Sequence, residues 1–348
     1  MRIGILSKYS PAEDGIAIYT ENLIGQLIND GVKVIKIGQK DSESDYQVDF
    51  SSFKLRKELA QIIEKEKLHA LHIQHIAPYF SKKTLNLNMI FALKQKVPVI
   101  VTFHEVYYKK NSIKSFLLNM IEYFVVKSAT KVIVHTDIQR KYLEKSFKTN
   151  NIETVYMGIK SKKLHLRKHK NLLFFGLISQ NKGVHILLNA MDKLRDFNLT
   201  VAGKLGDNIK KSYLDELIAI KKELKLDNVQ LEFGWVQEKR KTELFEEADL
   251  MIMPYLWAPY QSAALHDAFS YGLPVVVTDA GAVHEVVEQF GSGIVVKAND
   301  AMNLSEGIRT AIKSYDQLQS GIIDYRKEAD WKSVSHKTIE VYNSALNK

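Results

Sequence analysis

Residues Met253–Glu285 combine the residue types that could bind a phosphate group at the end of a parallel strand. The stretch reads as a strand end, a loop, a short helix that carries Asp267, a Gly272-Leu273-Pro274 stop and an apolar strand from Val275 to Thr278. The first N–H groups of a helix lack intrahelical partners, and the helix dipole favours negative charge there. The loop that leads into this helix is therefore a natural phosphate seat.

Three strand ends in the first half of the chain also carry polar or flexible residues, namely Asp14-Gly15-Ile16-Ala17, His72-Ile73-Gln74-His75 and Thr102-Phe103-His104-Glu105. A strand-end histidine such as His104 can donate a hydrogen bond to a ligand. His72 and His75 are three residues apart, which on a strand points them to opposite faces and argues against a shared metal ion. Asp14-Gly15 lacks the G-x-G-x-x-G spacing, so it could also form only a turn.

Alternating strands and helices must position these residues. The predicted elements of the first half are strands at 2–7, 32–37, 70–74, 97–103 and 131–135, with helices at 18–29, 53–66 and 112–127. The second half repeats the pattern, with strands at 172–175, 199–202, 229–233 and 250–253 and helices at 183–194, 212–224 and 239–248. This alternation is typical of doubly wound parallel sheets, in which ligands bind outside the carboxyl ends of the strands.

The length of 348 residues indicates two domains rather than one. We predict a first α/β domain over residues 1–158, a basic linker over 159–170 and a second α/β domain over 171–328, the two domains facing each other across a cleft. Residues 329–348 have the apolar spacing of an amphipathic helix and no strand after them, so we expect this helix to pack back on the first domain.

The composition is that of an ordinary soluble globular protein, with 45% hydrophobic and 26% charged residues. The absence of cysteine excludes disulfides, thiolate nucleophiles and Cys-ligated metals. No apolar run reaches the roughly 18–20 residues that span a bilayer, and Met1–Leu6 lead into a strand pattern rather than a signal peptide. The sequence therefore predicts a cytoplasmic protein.

The net charge of +9 is concentrated in the first half of the chain. Residues 1–155 hold 23 basic and 16 acidic residues, residues 156–170 add six basic and no acidic ones, and residues 171–348 hold 20 against 24. An anionic surface should therefore meet the first half, although any single lysine could simply be solvated. Within it, residues 107–131 place a basic loop before a very apolar helix. That helix could lie on an anionic membrane surface or be a buried crossover helix.

The order of short motifs resembles the retaining GT-B glycosyltransferases of the large group four family, related to glycogen synthases and mannosyltransferases. In the second half the resemblance rests on FGLISQNKG at 175–183, VAG at 201–203, FGWV at 233–236, ADL at 248–250, MPY at 253–255 and DAFSYGLPVV at 267–276. In the first half it rests more loosely on DGIA at 14–17, TFHE at 102–105 and VHT at 134–136. The resemblance covers nearly the whole chain and implies two Rossmann-like domains.

The resemblance also implies roles for individual residues. Lys182 matches the lysine that neutralises the donor diphosphate, and His104 matches the histidine close to the donor sugar, so these two are the predicted catalytic residues. Asp267 matches the acidic residue that binds the ribose hydroxyls. The remaining predicted donor-binding residues are Gly15 and Ile16 of the first domain, Gly234, Trp235 and Val236 beside the nucleobase, and Gln261, Ser262, Ala263 and Ala264 at the diphosphate.

The sequence departs from the family pattern at three positions. Pro259 stands eight residues before Asp267, where the family usually has a glutamate that faces the donor sugar. Asp267 itself replaces a second glutamate, and Leu177 replaces a common arginine. These departures leave the identity of the donor open, with UDP- or GDP-linked sugars favoured.

The resemblance implies transfer of a hexosyl group from a nucleotide diphosphate sugar, with retention of configuration, to a glycan, lipid-linked or surface-polymer acceptor of the cell envelope. It implies no cofactor and no obligatory metal, and the sequence has no Asp-x-Asp motif. We expect no nucleic-acid partner, and the basic first half could add peripheral contact with the inner face of the membrane. Two alternatives remain: a catalytically degenerate partner or scaffold subunit, and a sugar-nucleotide epimerase on the same fold.

Overall fold

The computed structural model describes residues 1–12, 15–76, 80, 87–106, 113–164, 170–206, 211–258 and 262–347. The predicted positions Asp14, Pro259 and Gln261 lie outside these residues. The chain divides into two compact units. The first comprises Met1–Gly158 and Ala329–Lys348, and the second comprises Ile159–Glu328.

The first unit is built on a seven-stranded parallel sheet with the strand order β3-β2-β1-β4-β5-β6-β7. Its strands are β1 (Arg2–Leu6), β2 (Lys33–Gly38), β3 (Tyr46–Gln47), β4 (Ala70–His75), β5 (Val99–Phe103), β6 (Lys131–Val134) and β7 (Ile152–Thr154). Its helices are α1 (Gly15–Asn29), α2 (Leu55–Glu66), α3 (Leu87–Ala92), α4 (Ile113–Ser128), α5 (Asp137–Phe147) and, from the end of the chain, α13 (Trp331–Leu346).

The two faces of this sheet are covered by different helices. Strand β5 shows the division, because Val99, Val101 and Phe103 join the core beneath α2 to α5, whereas Ile100 faces α1 and α13. A parallel strand covered on both faces needs a continuous apolar run rather than alternation, and every residue of β4 and β5 is buried. Helix α13 packs on α1 and so completes the second layer of the first unit.

The second unit has a six-stranded parallel sheet with the strand order β10-β9-β8-β11-β12-β13. Its strands are β8 (Asn171–Phe175), β9 (Asn198–Gly203), β10 (Val229–Phe233), β11 (Leu250–Met253), β12 (Val275–Thr278) and β13 (Gly293–Val296). Its helices are α6 (Val184–Met191), α7 (Lys211–Glu223), α8 (Glu238–Glu247), α9 (Ala263–Ser270), α10 (Val283–Phe290), α11 (Ala301–Lys313) and α12 (Tyr315–Ala329), the last of which ends at the boundary of the unit.

The structure confirms the predicted architecture of two α/β units with parallel sheets. The predicted strands and helices are present, with ends that move by one to three residues; for example, α1 begins at Gly15 rather than Ile18. Part of the predicted linker packs on the second unit, since the Lys162 N–H donates to the Ser270 carbonyl at 2.7 Å. In the parts of the chain that the structure describes, every helix is too short or too polar to cross a membrane.

Candidate functional site

The sheet of the second unit reverses its winding direction between β8 and β11. Strands β9 and β10 extend the sheet on one side of β8, and β12 and β13 extend it on the other side of β11. The connections after β8 and β11 therefore leave in opposite directions and open a crevice at their carboxyl ends, which is where open α/β sheets bind ligands. The loop to Lys182 follows β8, and the loop to α9 follows β11.

Lys182 lies at the end of a 3₁₀ turn, Gln180–Lys182, directly before α6. Only 7% of its surface is exposed, and its Nζ lies 3.6 Å from the ring centroid of Tyr255. Burial lowers the pKa of Lys182 from its usual 10.5 to about 8. The side chain is therefore still cationic at neutral pH, and the negative face of the tyrosine ring stabilises that charge.

Gly183 brings the Lys182 turn and the loop after β11 into direct contact. Its backbone has a φ of +69°, and a Cβ at this position would overlap the carbonyl oxygen of Pro254. The Leu256 N–H adds a hydrogen bond of 2.8 Å to the Asn181 carbonyl. Glycine is thus required here, because any side chain would push this turn away from Pro254.

The N-terminus of α9 lies beside the same tyrosine. Ser262 is the N-cap residue and is 5% exposed, but its hydroxyl does not cap the helix. Instead the Ser262 hydroxyl lies 3.4 Å from the Tyr255 hydroxyl. The N–H groups of Ala263 and Ala264 belong to the first turn, where no intrahelical acceptor exists. Lys182 and the N-cap residue Ser262 of α9 therefore both lie against Tyr255. A buried lysine next to a helix N-terminus is an arrangement that can bind a diphosphate.

Asp267 makes an ion pair that the sequence did not predict. The Lys241 Nζ, on α8, lies 3.0 Å from the Asp267 Oδ1, and 31% of the Asp267 side-chain surface is exposed. Burial raises the pKa of Asp267, and the opposing effect of Lys241 is smaller. The partly exposed carboxylate keeps acceptor capacity for a ligand hydroxyl, and the ribose role stays a prediction.

The predicted nucleobase loop follows β10, on the far side of β9 from β8. Gly234 has a φ of +142°, and its N–H donates to the Gly203 carbonyl at 3.0 Å. Trp235 is 72% exposed and Val236 is half-buried. This loop offers a flat indole face at the same edge of the sheet as Lys182, and its role at the nucleobase stays a prediction.

In the first unit the winding direction reverses between β1 and β4. Gly15 and Ile16 form the first turn of α1, which follows β1. Gly15 is exposed, and no described heavy atom lies within 4 Å of a Cβ built on it, so its own surroundings do not require glycine. The Ile16 carbonyl accepts a hydrogen bond of 2.7 Å from the Thr20 hydroxyl. The contact of both residues with the donor stays a prediction.

His104 belongs to a buried row of hydrogen-bonding groups. Its Nε2 lies 2.7 Å from the Gln74 Oε1, and its Nδ1 lies 3.1 Å from the His135 Nε2. The His135 Nδ1 lies 2.9 Å from the Val155 carbonyl oxygen. The sequence predicted a donor into a ligand site, whereas the structure places both ring nitrogens of His104 on protein partners, with 5% of the residue exposed.

The protons along this row can be assigned from its ends. The Val155 carbonyl only accepts, so the neutral His135 carries its proton on Nδ1, and His104 then donates from Nδ1 to the His135 Nε2. The His104 Nε2 is left as an acceptor. As an acceptor, the His104 Nε2 can take a hydrogen bond from the Gln74 amide nitrogen, with the amide turned toward it. The Gln74 oxygen could pair with this nitrogen only if His104 and His135 together took up a further proton.

Burial opposes that further proton. It lowers the pKa of His135 to about 4 and moves the pKa of His104 well below its usual value. The ring of Tyr19 packs edge-on against both imidazoles, at 5.1 and 5.5 Å between centroids. The row is therefore neutral at physiological pH, with the His104 Nε2 as a hydrogen-bond acceptor.

His72 and His75 point to opposite faces of β4. His72 contacts the Tyr342 hydroxyl and the Thr102 hydroxyl, each at 2.7 Å, on the α13 side. His75 stacks on Phe80 on the other side. Burial lowers the pKa of His72 to about 3 and that of His75 to about 4, so both are neutral core residues.

Sequence reasoning missed Tyr255, Lys241, Gln74 and His135 as members of these sites. Tyr255 had a usable signal, since it is an aromatic residue two positions after a buried strand that ends at the predicted phosphate seat. Gln74 also stands at a strand end that the sequence had marked as polar. Lys241 is a half-buried lysine on α8, and a lysine within a helix carries no signal of its own.

Two family models match the chain. The model described as glycosyl transferases group 1 matches residues 158–329, and the model described as glycosyltransferase family 4 matches residues 14–163. An uncharacterised glycosyltransferase of Methanocaldococcus jannaschii is 22% identical over 66% of this chain, which spans 64% of that relative. A second one from the same organism is 23% identical over 98% of both chains.

Solved structures show the same fold. Anabaena HepE in complex with UDP is 15% identical and has a TM-score of 0.77, covering 99% of this chain and all of that one. Sucrose-phosphate synthase from Thermosynechococcus elongatus is also 15% identical, with a TM-score of 0.75 and 99% of both chains covered. The two family models together cover most of the chain, and this chain therefore belongs to the family 4 glycosyltransferases with the GT-B fold.

Proposed function

We propose that this protein transfers a hexosyl group from a nucleotide diphosphate sugar to a glycan, lipid-linked or surface-polymer acceptor, with retention of configuration. The observation that carries the proposal is the buried, cationic Lys182 held against Tyr255 beside the N-terminus of α9. Relatives support it. Solved structures of Anabaena HepE contain UDP or UDP-glucose. A phosphatidyl-myo-inositol mannosyltransferase of Mycobacterium leprae is 22% identical over 71% of this chain and 67% of its own length.

The proposed chemistry rests on charge that develops on the leaving diphosphate. As the bond from the sugar to the diphosphate oxygen breaks, negative charge grows on that oxygen. Lys182 supplies a cation and the amides of Ala263 and Ala264 supply donors, all fixed before the reaction begins. Preorganised donors of this kind stabilise a transition state without reorganisation, and the proposal needs no metal ion or cofactor for this step.

The donor is proposed to be UDP- or GDP-linked, with Asp267 at the ribose and Trp235 at the nucleobase. His104 is proposed to lie near the donor sugar, where its Nε2 would accept a hydrogen bond from a sugar hydroxyl in exchange for the Gln74 amide. The resemblance to retaining enzymes supports the proposed retention of configuration, and the anomeric configuration of the product, measured by NMR, tests it directly.

Ligand-dependent thermal stability tests the proposal. UDP-, GDP-, ADP- and dTDP-sugars are screened against the protein, and the best of them should raise its melting temperature by several degrees at concentrations far above Kd. Lys182→Gln should abolish the shift and lower kcat by about a hundredfold or more. Lys193→Gln is the matched control, because Lys193 is an exposed lysine two residues after the end of α6, and it should behave like the wild type.

Three outcomes would contradict the proposal. Absence of stabilisation by every sugar nucleotide would favour a non-catalytic partner or scaffold subunit. Conversion of the sugar nucleotide to an epimer without an acceptor would favour a sugar-nucleotide epimerase. An equal loss of the thermal shift in Lys182→Gln and Lys193→Gln would remove Lys182 from the site.

A further inference from the structure

Helix α4 exposes five large apolar side chains and buries two polar ones. The exposed fractions are 68% for Phe116, 47% for Leu117, 41% for Met120, 40% for Tyr123 and 45% for Phe124. Asn119 and Glu122, in contrast, are 7% and 3% exposed. The five apolar residues are spaced by three and four positions, so they form one continuous stripe along the helix. The sequence had left open a buried crossover helix, and the structure shows that only the opposite side of α4 is buried.

The neighbouring helix also exposes large apolar side chains. Helix α3 packs against α4 and exposes Leu87 and Phe91 to 49% and 43%. These seven residues, Leu87, Phe91, Phe116, Leu117, Met120, Tyr123 and Phe124, are called the α3–α4 face. Single exposed apolar residues are ordinary, but seven large ones on two packed helices mark an interaction surface.

Basic residues outnumber acidic ones in the stretch of chain that holds the α3–α4 face. Residues 87–150 contain 11 lysines and arginines against four acidic residues, an excess of seven in a chain whose total is +9. The Lys94 Nζ lies 6.0 Å from the Phe91 ring centroid, and Lys127, exposed in the last turn of α4, donates to the Lys148 carbonyl at 3.1 Å. Two of the four acidic residues, Asp137 and Glu144, are paired with Arg140.

We propose that the α3–α4 face docks on an anionic lipid surface. The apolar stripe would enter the boundary between head groups and acyl chains, while the flanking lysines would contact lipid phosphates. Tyrosine and phenylalanine at this depth suit the interfacial region. A second copy of the chain fits less well, because a twofold interface would bring two copies of the same basic surface together.

Docking of this face does not depend on the transferase activity. It rests on the exposure and charge of α3 and α4, and its test measures binding to vesicles rather than turnover of a donor. A protein without transferase activity could still dock, and an active transferase could fail to dock, so the two proposals fail separately.

Flotation with vesicles tests the proposal. The full-length protein should float with phosphatidylcholine vesicles that contain phosphatidylglycerol, but not with pure phosphatidylcholine, and the bound fraction should fall as salt rises. Phe116→Gln/Phe124→Gln should weaken partitioning by about tenfold. Lys94→Gln/Lys127→Gln should weaken it by about fivefold for each lysine removed at low salt.

A matched double variant controls for lost surface hydrophobicity. Ile28 and Ile218 are exposed helix residues outside the face, with exposed fractions of 54% and 51%. Ile28→Gln/Ile218→Gln should float like the wild type, and circular dichroism should show that all three variants are folded.

Three results would overturn the proposal. The first is no flotation with the anionic vesicles at low salt. The second is flotation that neither α3–α4 variant reduces relative to the control. The third is self-association, seen by sedimentation, that Phe116→Gln/Phe124→Gln breaks while vesicle binding is absent. That result would make the face an interface between copies of this chain.

Discussion

Lys182 in the second unit and His104 in the first both lie in segments that follow a buried parallel strand. Lys182 is cationic at neutral pH, whereas His104 is uncharged. Burial is the first cause of the pKa shift in both. The lysine falls only to a pKa of about 8 and stays cationic at neutral pH. The buried histidines of the first unit, such as His135 with a pKa of about 4, are neutral at the same pH. The starting pKa of the side chain decides which outcome the same desolvation produces.

This difference indicates two ways to prepare a polar site. The second unit keeps a charge and supports it with the Tyr255 ring, which suits an anionic diphosphate. The first unit removes charge and fixes protons by a row of hydrogen bonds ending at Val155, which suits orientation of neutral hydroxyls. Single substitutions and changes of pH test the charge state of each site.

Gly183→Ala should have the largest effect, because it disrupts the contact between Gly183 and Pro254 that holds the Lys182 turn in place. A Cβ would overlap the Pro254 carbonyl oxygen and would occupy a left-handed backbone. We expect the free energy of unfolding in urea to fall by about 3 kcal/mol or more, with loss of nucleotide binding. Gly25→Ala is the control, because no described atom lies near its Cβ and it sits inside α1. It should stabilise the protein by roughly 0.5–1 kcal/mol, and an equal response of the two variants would refute the argument.

Acid should destabilise the first unit through its buried neutral histidines. Between pH about 6.5 and about 4 the unfolded chain binds a proton at His135 that the folded chain does not. The free energy of unfolding therefore falls as pH falls, by up to about 1.4 kcal/mol per pH unit for each such histidine. His135→Phe should reduce the pH dependence of the free energy of unfolding by about one proton. It should also lower that free energy by about 1–3 kcal/mol at pH 7, because His104 loses its hydrogen bond to His135.

His75→Phe separates titration from hydrogen bonding. Its ring nitrogens have no hydrogen-bond partner among the described residues, and it stacks on Phe80. Like His135→Phe, the variant should reduce the pH dependence of the free energy of unfolding by about one proton. Unlike His135→Phe, it should not lower the free energy of unfolding at pH 7. Urea unfolding at pH 5 and pH 7 measures both quantities, and an unchanged slope in both variants would show that these histidines do not resist protonation.

Alkali should weaken ligand binding at the cationic Lys182 site. Above the Lys182 pKa of about 8 the free side chain loses its proton, so affinity for a nucleoside diphosphate should fall by up to tenfold per pH unit. Lys182→Arg should remain charged and flatten this dependence. Calorimetric titration from pH 7 to pH 9.5 measures it, and a flat wild-type profile would contradict the role of Lys182.

The alternating pattern of the sequence was enough to predict the two parallel sheets, because buried parallel strands leave long apolar runs such as β5 and β12. Short elements left weaker signals. Strand β7 has three residues, and β3 has two whose pairing depends on β2. Helix α5 was also missed, although Thr136, whose side chain accepts from the Gln139 N–H, is a recognisable N-cap.

The members of each site were harder to predict than the elements that carry them. Lys182 and Ser262 were found by motif, but their common neighbour Tyr255 follows β11, which lies beside β8 only because of the strand order of the sheet. His104 and His135 are 31 residues apart and meet because β5 and β6 are adjacent. The outward face of α4 was ambiguous for another reason, since an apolar stripe has the same spacing whether it is buried or exposed.

Helix α13 gives the two units different folding histories. The first unit joins Met1–Gly158 to Ala329–Lys348, and Tyr342 closes its core by reaching His72 across 270 residues of chain. The second unit is continuous from Ile159 to Glu328. During synthesis the second unit can complete its contacts first. The apolar side of α1 lacks its packing partner until α13 has been made. The first unit can therefore complete its native contacts only after residues 329–348 have been synthesised.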